Sequence, residues 1–188
     1  MDELNPRQTQ DALSRLPVGR HLLTAGYGQS RNALVIHRIS LGADDPPTVI
    51  LAVRKGHALS PLIRDSGRFG IAEIGVADDM LVRMFREPAS LQDEDPFLGH
   101  ALVPGPLQVD IPIPERAVSW LSCELLRHLD IEADHEVYIG RIVDQGVNAK
   151  LVANEIANAA MHADVAAAGR GKPRRNRSNT SAPGRASA

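Results

Sequence analysis

RNALVIHRISLGADDPPTVILAVRKGHALSPLIRDSG, residues 31–67, predicts a strand, a proline turn, a second strand, a basic turn and a helix. Thr48–Val53 is an apolar run rich in β-branched residues, which favours a buried strand. Pro46 and Pro47 precede it, where proline is tolerated because it cannot donate to a sheet ladder. Ser60-Pro61 predicts the start of a helix, with serine as the N-cap and proline at the first helical position.

The turn between that strand and that helix is cationic. It reads Arg54-Lys55-Gly56-His57, so basic side chains flank a glycine where the backbone can approach a ligand closely. Helix N-termini with free amide groups bind anions. The turn is therefore a candidate anion site, and the alternative is an ordinary solvated turn.

The rest of the chain predicts short strands with few helices, which favours an antiparallel barrel or sandwich. Strands are expected at 21–25, 32–40, 48–54, 68–75, 117–129 and 136–144, and helices at 9–16, 61–65, 78–85 and 149–165. Residues 1–8 are expected to be loose. Residues 166–188 are rich in Arg, Ser, Gly and Ala and are expected to form a disordered basic tail, because they cannot bury enough apolar surface. This leaves one domain over residues 9–165.

Charge is unevenly distributed along the chain. The net charge is −2, but residues 169–188 contain six Arg or Lys and no acid, which leaves 15 basic against 23 acidic side chains, a net −8, in residues 1–168. An acidic folded part argues against nucleic-acid binding by the domain. The single cysteine, Cys123, excludes an intramolecular disulfide, and Cys123 and Trp120 are expected in the core. No signal peptide, membrane span or metal-ligand spacing is evident, so a cytoplasmic protein without metal is expected.

Several short motifs occur in an order that resembles the flavin reductase-like family of FMN-binding split barrels. They are Asn32-Ala33, Asp45-Pro46-Pro47, the Arg-Lys-Gly turn, Leu62-Ile63, Ser66-Gly67-Arg68-Phe69, Asp95-Pro96-Phe97, the AVSWLSCE strand at 117–124 and the DH…VYIGRIVD ending at 134–144. Together they cover roughly residues 10–148. The resemblance implies a mostly β fold with peripheral helices, a six-stranded antiparallel split β-barrel.

The resemblance also implies a function. Members of this family are expected to be homodimers that bind FMN, or FAD as an alternative, near the subunit interface. NADH or NADPH would donate a hydride to the flavin, and reduced flavin would serve a partner monooxygenase. The chain has no G-x-G-x-x-G after a strand, so the nicotinamide is expected to bind against the flavin itself. The alternative is a non-enzymatic flavin-binding or electron-transfer protein of the same fold.

The resemblance supplies the candidate site residues. Family members carry hydroxyl side chains in the strand after the asparagine, where this chain has Val35 and His37, and Arg38 replaces an aromatic residue. Either cations hold the flavin phosphate instead, or this member binds flavin weakly. The candidate cofactor-binding residues are Asn32, His37, Arg38, Ser40, Arg54, Lys55, Gly56 and His57. His135 is the candidate catalytic residue, with an exposed turn histidine as the alternative. Residues 95–97 are either a lid or a plain surface loop.

Overall fold

A seven-stranded antiparallel sheet dominates the structure, with strand order β2-β1-β5-β6-β7-β4-β3. The computed structural model describes residues 5–76, 78–85, 95–105 and 111–157. The strands are β1 (His21–Tyr27), β2 (Ser30–Ile36), β3 (Ser40–Asp44), β4 (Pro47–Arg54), β5 (Arg68–Glu73), β6 (Ser119–Asp130) and β7 (His135–Val147). The expected mostly β, antiparallel fold is confirmed, with seven strands rather than six.

The additional strand arises because the strand expected at 32–40 is two strands, β2 and β3. They are the two edge strands of the sheet, and only residues 37–39 join them. Four Cα–Cα steps span at most about 14 Å, whereas the edges of a flat seven-stranded sheet would lie about 29 Å apart. The sheet must therefore curl until its edges approach, which produces the barrel.

The curled sheet encloses an inner core. Its buried members include Leu23, Leu51, Phe69, Cys123 and Tyr138. Cys123 is fully buried, as expected, and burial raises the pKa of its thiol to about 12. Trp120 is partly buried and packs against a second, outer cluster. Thiol chemistry at Cys123 is thus disfavoured, because the thiolate is the reactive form.

Four helices lie around the sheet in the described part of the chain. They are α1 (Pro6–Leu13), α2 (Leu59–Ser66), α3 (Asp79–Phe85) and α4 (149–157). Helix α1 begins three residues before the expected position because Asn5 Oδ1 accepts hydrogen bonds from the Arg7 and Gln8 amides, at 3.1 and 3.4 Å. Residues 6–8, expected to be loose, form its first turn.

Helix α2 also begins earlier than the sequence predicts. Ser60 is not its N-cap but lies buried in its first turn. The His57 ring takes the capping role, since its Nδ1 accepts a hydrogen bond from the Leu59 amide at 3.1 Å. The helix ends at Gly67, whose φ of 64° is a left-handed conformation that glycine adopts without strain. Leu59 and Ile63 pack into the inner core.

Residues 95–98 are held against the outer face of the sheet. Phe97 is 2% exposed and stacks on Phe85 with ring centroids 5.4 Å apart. Arg31 lies over the same ring and also pairs with Asp95. These contacts favour an anchoring role over a lid.

The chain divides into two units, Met1–Glu155 and Ile156–Ala188. The first contains all the residues considered below. The helix expected at 149–165 is seen over 149–157, and its remainder and the tail at 166–188 lie outside the described residues. No described helix has both the length and the apolarity needed to traverse a bilayer.

Candidate functional site

The basic turn lies at the end of β4, beside the start of β7. Arg54 and His135 are directly opposite in the β4–β7 ladder. Side chains alternate along a strand, and Leu51 and Val53 face the inner core, so Arg54 faces the outer side of the barrel. Cross-strand partners share a face. The structure therefore brings together two residues that the sequence predicted separately.

Lys55 attaches the turn to the tip of the β6–β7 hairpin. Its Nζ lies 2.6 Å from Asp130 Oδ1, and its amide donates to the Asp134 carbonyl at 3.0 Å. The same Asp130 oxygen accepts from the Glu132 amide at 2.8 Å. The hydrogen bond from Lys55 holds the pKa of Asp130 below its usual value. The acidic turn at 130–134 thus serves as the electrostatic partner of the basic turn.

Two donors of the basic turn have no partner at contact distance among the described residues, although the charge of Arg54 helps to lower the pKa of Asp134. Arg54 makes no ion pair with any of the residues that the structure describes. Within the same residues, the Gly56 amide has no hydrogen-bond acceptor. Gly56 has a φ of 78°, a conformation that suits glycine. A guanidinium and an amide at the same turn can both donate to an anion.

His57 lies behind this turn and is 8% exposed. Because its Nδ1 accepts from the Leu59 amide, the neutral ring carries its proton on Nε2. Burial lowers the pKa of His57, so the neutral form prevails at neutral pH. Any contact of His57 with an anion would therefore be a hydrogen bond from Nε2 and not a charge interaction.

His135 is oriented by its neighbour. Its Nδ1 lies 2.8 Å from Asp134 Oδ1, and a carboxylate only accepts, so Nδ1 donates and Nε2 remains available. The hydrogen bond from His135 lowers the pKa of Asp134. The His135 side chain is 42% exposed, so Nε2 can reach a bound molecule.

A polar network lies on the inner side of the same hairpin. The Tyr138 hydroxyl donates to Glu136 Oε2 at 2.8 Å, and His128 Nε2 lies 3.1 Å from that oxygen. Burial would raise the pKa of Glu136, but the neighbouring Tyr138 and His128 outweigh it and leave the pKa lowered. Burial also raises the pKa of Tyr138 to about 12, so the hydroxyl stays protonated. This network supports the strand that carries His135.

Three of the other candidate residues make their hydrogen bonds away from the basic turn. Asn32 is buried opposite Ala25, and its Oδ1 accepts from the Ala33 amide at 2.7 Å. His37 Nδ1 lies 3.0 Å from the Gly19 carbonyl oxygen, and Arg38 Nη2 donates to the Leu13 carbonyl at 3.0 Å. None of these contacts joins Asn32, His37 or Arg38 to the basic turn.

Ser40 shares the outer face with the basic turn. It lies opposite Ile50 in the β3–β4 ladder, and Ile50 is four residues before Arg54, about 13 Å along the strand. The face between them is apolar, formed by Ile50 and Ala52 of β4 and their partners Ile139 and Val137 of β7. None of these four belongs to either core cluster. The outer face thus offers an apolar strip with a cationic end.

Sequence reasoning missed Asp130 as the partner of Lys55. The acidic turn was visible in the sequence, but nothing there showed that β4 pairs with β7. That pairing is what places opposite charges next to each other.

Residues 13–164 match the model of the flavin reductase like domain. The match covers most of the chain, which therefore belongs to this family. In sequence, the chain is 28% identical over 109 residues to the uncharacterized protein YddH of Escherichia coli, covering 57% of each. It is 30% identical over 132 residues to the putative diflavin flavoprotein A 2 of Synechocystis sp., covering 68% of this chain. The chain spans 57% and 22% of the lengths of these two relatives.

Solved structures show the same split-barrel fold. The NADH:FAD oxidoreductase SgcE6 of Streptomyces globisporus C-1027 aligns with a TM-score of 0.67 at 18% identity, over 79% of this chain and 88% of that one. The styrene monooxygenase flavin reductase of Pseudomonas putida aligns with a TM-score of 0.63 at 21% identity, over 76% and 87%. At these identities the likeness establishes the fold.

Proposed function

We propose that this chain is an NAD(P)H-dependent flavin reductase that holds the phosphate of FMN at the Arg54–Gly56 turn. The observation that carries the proposal is the donor set of that turn: an unpaired guanidinium, an adjacent ammonium and a free amide. Such donors fit a phosphate dianion, which charge-assisted hydrogen bonds recognise. We take the ligand to be a flavin because the chain belongs to the flavin reductase like domain family.

The apolar strip of β4 and β7 fits the flavin ring. Planar cofactors bind in mostly apolar slots with few polar groups at the edges. Ser40 would offer a hydroxyl at the far end of the strip. Asn32, His37 and Arg38 contact the Ala33 amide and the Gly19 and Leu13 carbonyls, so the proposed site does not depend on them. We also propose a homodimer with flavin near the interface, in which the partly exposed strip would form part of the contact.

His135 is the proposed catalytic residue. A bound flavin, FMN or FAD, supplies the acceptor for a hydride from NADH or NADPH. The chain itself orients the two ring systems and excludes water. His135 Nε2, held outward by Asp134, would hold or release a proton at the site.

A partner protein is also proposed. The flavin reductase of Pseudomonas putida that shares this fold is named as part of a styrene monooxygenase. By analogy, reduced flavin from this chain would supply a partner monooxygenase.

A non-enzymatic flavin-binding or electron-transfer role is the second candidate. Two observations favour it. Val35 packs against the outer cluster and supplies no hydroxyl, and the similar Synechocystis protein is named a diflavin flavoprotein.

The test is oxidation of NADH and NADPH by the purified protein with FMN in excess, followed at 340 nm. Turnover that falls at least tenfold in His135→Ala, with FMN affinity retained, would support the reductase. Tight FMN binding without turnover would support the electron-transfer role. A protein that neither binds FMN nor oxidises either nucleotide would refute both.

A further inference from the structure

We propose that Asp130 is an autoinhibitory competitor: a phosphoryl group reaching the basic turn must displace the Asp130 carboxylate from Lys55. The inference rests on the proposed function for its ligand and adds the regulation of that site. The phosphoryl group could belong to a flavin nucleotide or to the nicotinamide dinucleotide, and the test separates the two.

The contact that carries the inference is the Lys55–Asp130 pair. Nζ and Oδ1 are 2.6 Å apart, so the carboxylate occupies the position that a phosphate oxygen would take. The two side chains are 35% and 60% exposed, so a ligand can approach both. Arg54, the adjacent cation, makes no ion pair with any described residue and is available for the first encounter.

The exchange requires side-chain motion only. The Lys55 amide stays bound to the Asp134 carbonyl at 3.0 Å, which keeps the turn docked on the hairpin tip. Asp130 Oδ1 stays bound to the Glu132 amide at 2.8 Å, which keeps the carboxylate in place after Lys55 leaves. The competitor is therefore retained beside the site and returns to Lys55 when the ligand leaves.

The expected size of the effect follows from the exposure of the pair. Exposed ion pairs are weak, and a gain of about two- to fivefold in affinity on neutralising Asp130 is the corresponding range. Asp130→Asn is the sharp variant, because the amide oxygen can still accept from Glu132 and preserve the turn. Glu132→Gln is the matched control, since it removes one exposed charge from the same tip without touching Lys55.

The experiment measures Kd for FMN, riboflavin and pyrophosphate, and KM for NADH, in wild type and both variants. Asp130→Asn should tighten pyrophosphate and either FMN or NADH about two- to fivefold, leave riboflavin unchanged, and exceed the effect of Glu132→Gln. A change in FMN assigns the phosphate to the flavin, and a change in NADH alone assigns it to the dinucleotide.

Other results overturn the inference. Equal effects of the two variants, or equal tightening of riboflavin, would show that Asp130 does not compete for phosphate at Lys55. If wild type fails to bind FMN but Asp130→Asn still tightens pyrophosphate, the proposed function fails and the competition stands. If no variant binds any phosphate compound, both fail.

Discussion

The β2–β3 linker and the β4–α2 turn carry similar side chains in different surroundings. In the linker, His37 lies against the Gly19 carbonyl and Arg38 donates to the Leu13 carbonyl. In the turn, Arg54 makes no ion pair with any described residue, and Lys55 faces a carboxylate. Basic residues that hold backbone carbonyls fix the fold, whereas basic residues with replaceable or absent partners can receive a ligand.

The largest effect should come from Arg54→Ala. Hydrogen bonds to charged groups contribute about 1.5–3 kcal/mol, so FMN affinity should fall about 10- to 100-fold. Thermal stability should stay close to wild type, because Arg54 has no ion-pair partner in the described part of the chain. Fluorescence titration and a melting curve check the two halves. A destabilised variant with unchanged FMN affinity would contradict this account, because Arg54 would then stabilise the fold and not bind the phosphate.

Arg38→Ala should show the opposite pattern. It removes the hydrogen bond to Leu13 that ties the linker to α1, at a cost of about 1 kcal/mol in the free energy of unfolding. FMN affinity should change less than threefold. Urea denaturation measures the first quantity, and an affinity loss as large as that of Arg54→Ala would return Arg38 to the phosphate site.

His57→Ala should show that His57, unlike Arg54 in the same turn, stabilises the fold by capping helix α2. The variant loses the acceptor for the Leu59 amide, and loss of a helix cap costs about 1 kcal/mol. His57→Asn is the control, because its side-chain oxygen can accept the same hydrogen bond. If both variants unfold at the wild-type urea midpoint, the capping role is wrong.

The smallest effect is a loss of stability in mild acid. Burial lowers the pKa of His57, and burial also lowers that of His21, which lies near His37 on the linker side. In the unfolded chain these histidines have the ordinary pKa of 6.5, so below that pH the unfolded chain binds more protons than the folded one. Their contribution to the free energy of unfolding is therefore fully present above pH 6.5 and is lost as the pH falls. The free energy of unfolding should therefore be lower at pH 5.5 than at pH 7.5, which urea denaturation at the two pH values measures.

His57→Asn separates the two contributions. It should remove the pH dependence of the free energy of unfolding that comes from His57 and leave the pH dependence that comes from His21. A pH dependence identical to wild type would show that His57 does not contribute.

Local patterns in the sequence predicted most of the strands and helices, whereas the split barrel followed only from the resemblance to the flavin reductase-like family. The β-branched run at 48–53 forms β4, and the apolar periodicity of residues 81–85 forms α3. The boundaries failed where tertiary contacts decide them. Helix α2 starts early because a histidine ring replaces the expected serine cap, and the strand expected at 32–40 breaks because the barrel must close through residues 37–39.

The site was only half predictable, for a related reason. Strand order is non-local, so the sequence could not show that Arg54 lies opposite His135 or that Lys55 meets Asp130. It also could not show that Arg38 reaches the end of α1. The sequence shows that the linker and the turn are both basic. It does not show which residue each basic side chain contacts, because that depends on the pairing of distant strands.

The most direct measurement is the ratio of FMN to riboflavin affinity in wild type, Arg54→Ala and Arg38→Ala. The phosphate is the only difference between the two ligands, so the ratio isolates its contacts with the protein. We predict that wild type and Arg38→Ala prefer FMN by at least tenfold and that Arg54→Ala largely loses this preference. Equal binding of the two flavins by wild type would contradict a phosphate site at the β4–α2 turn.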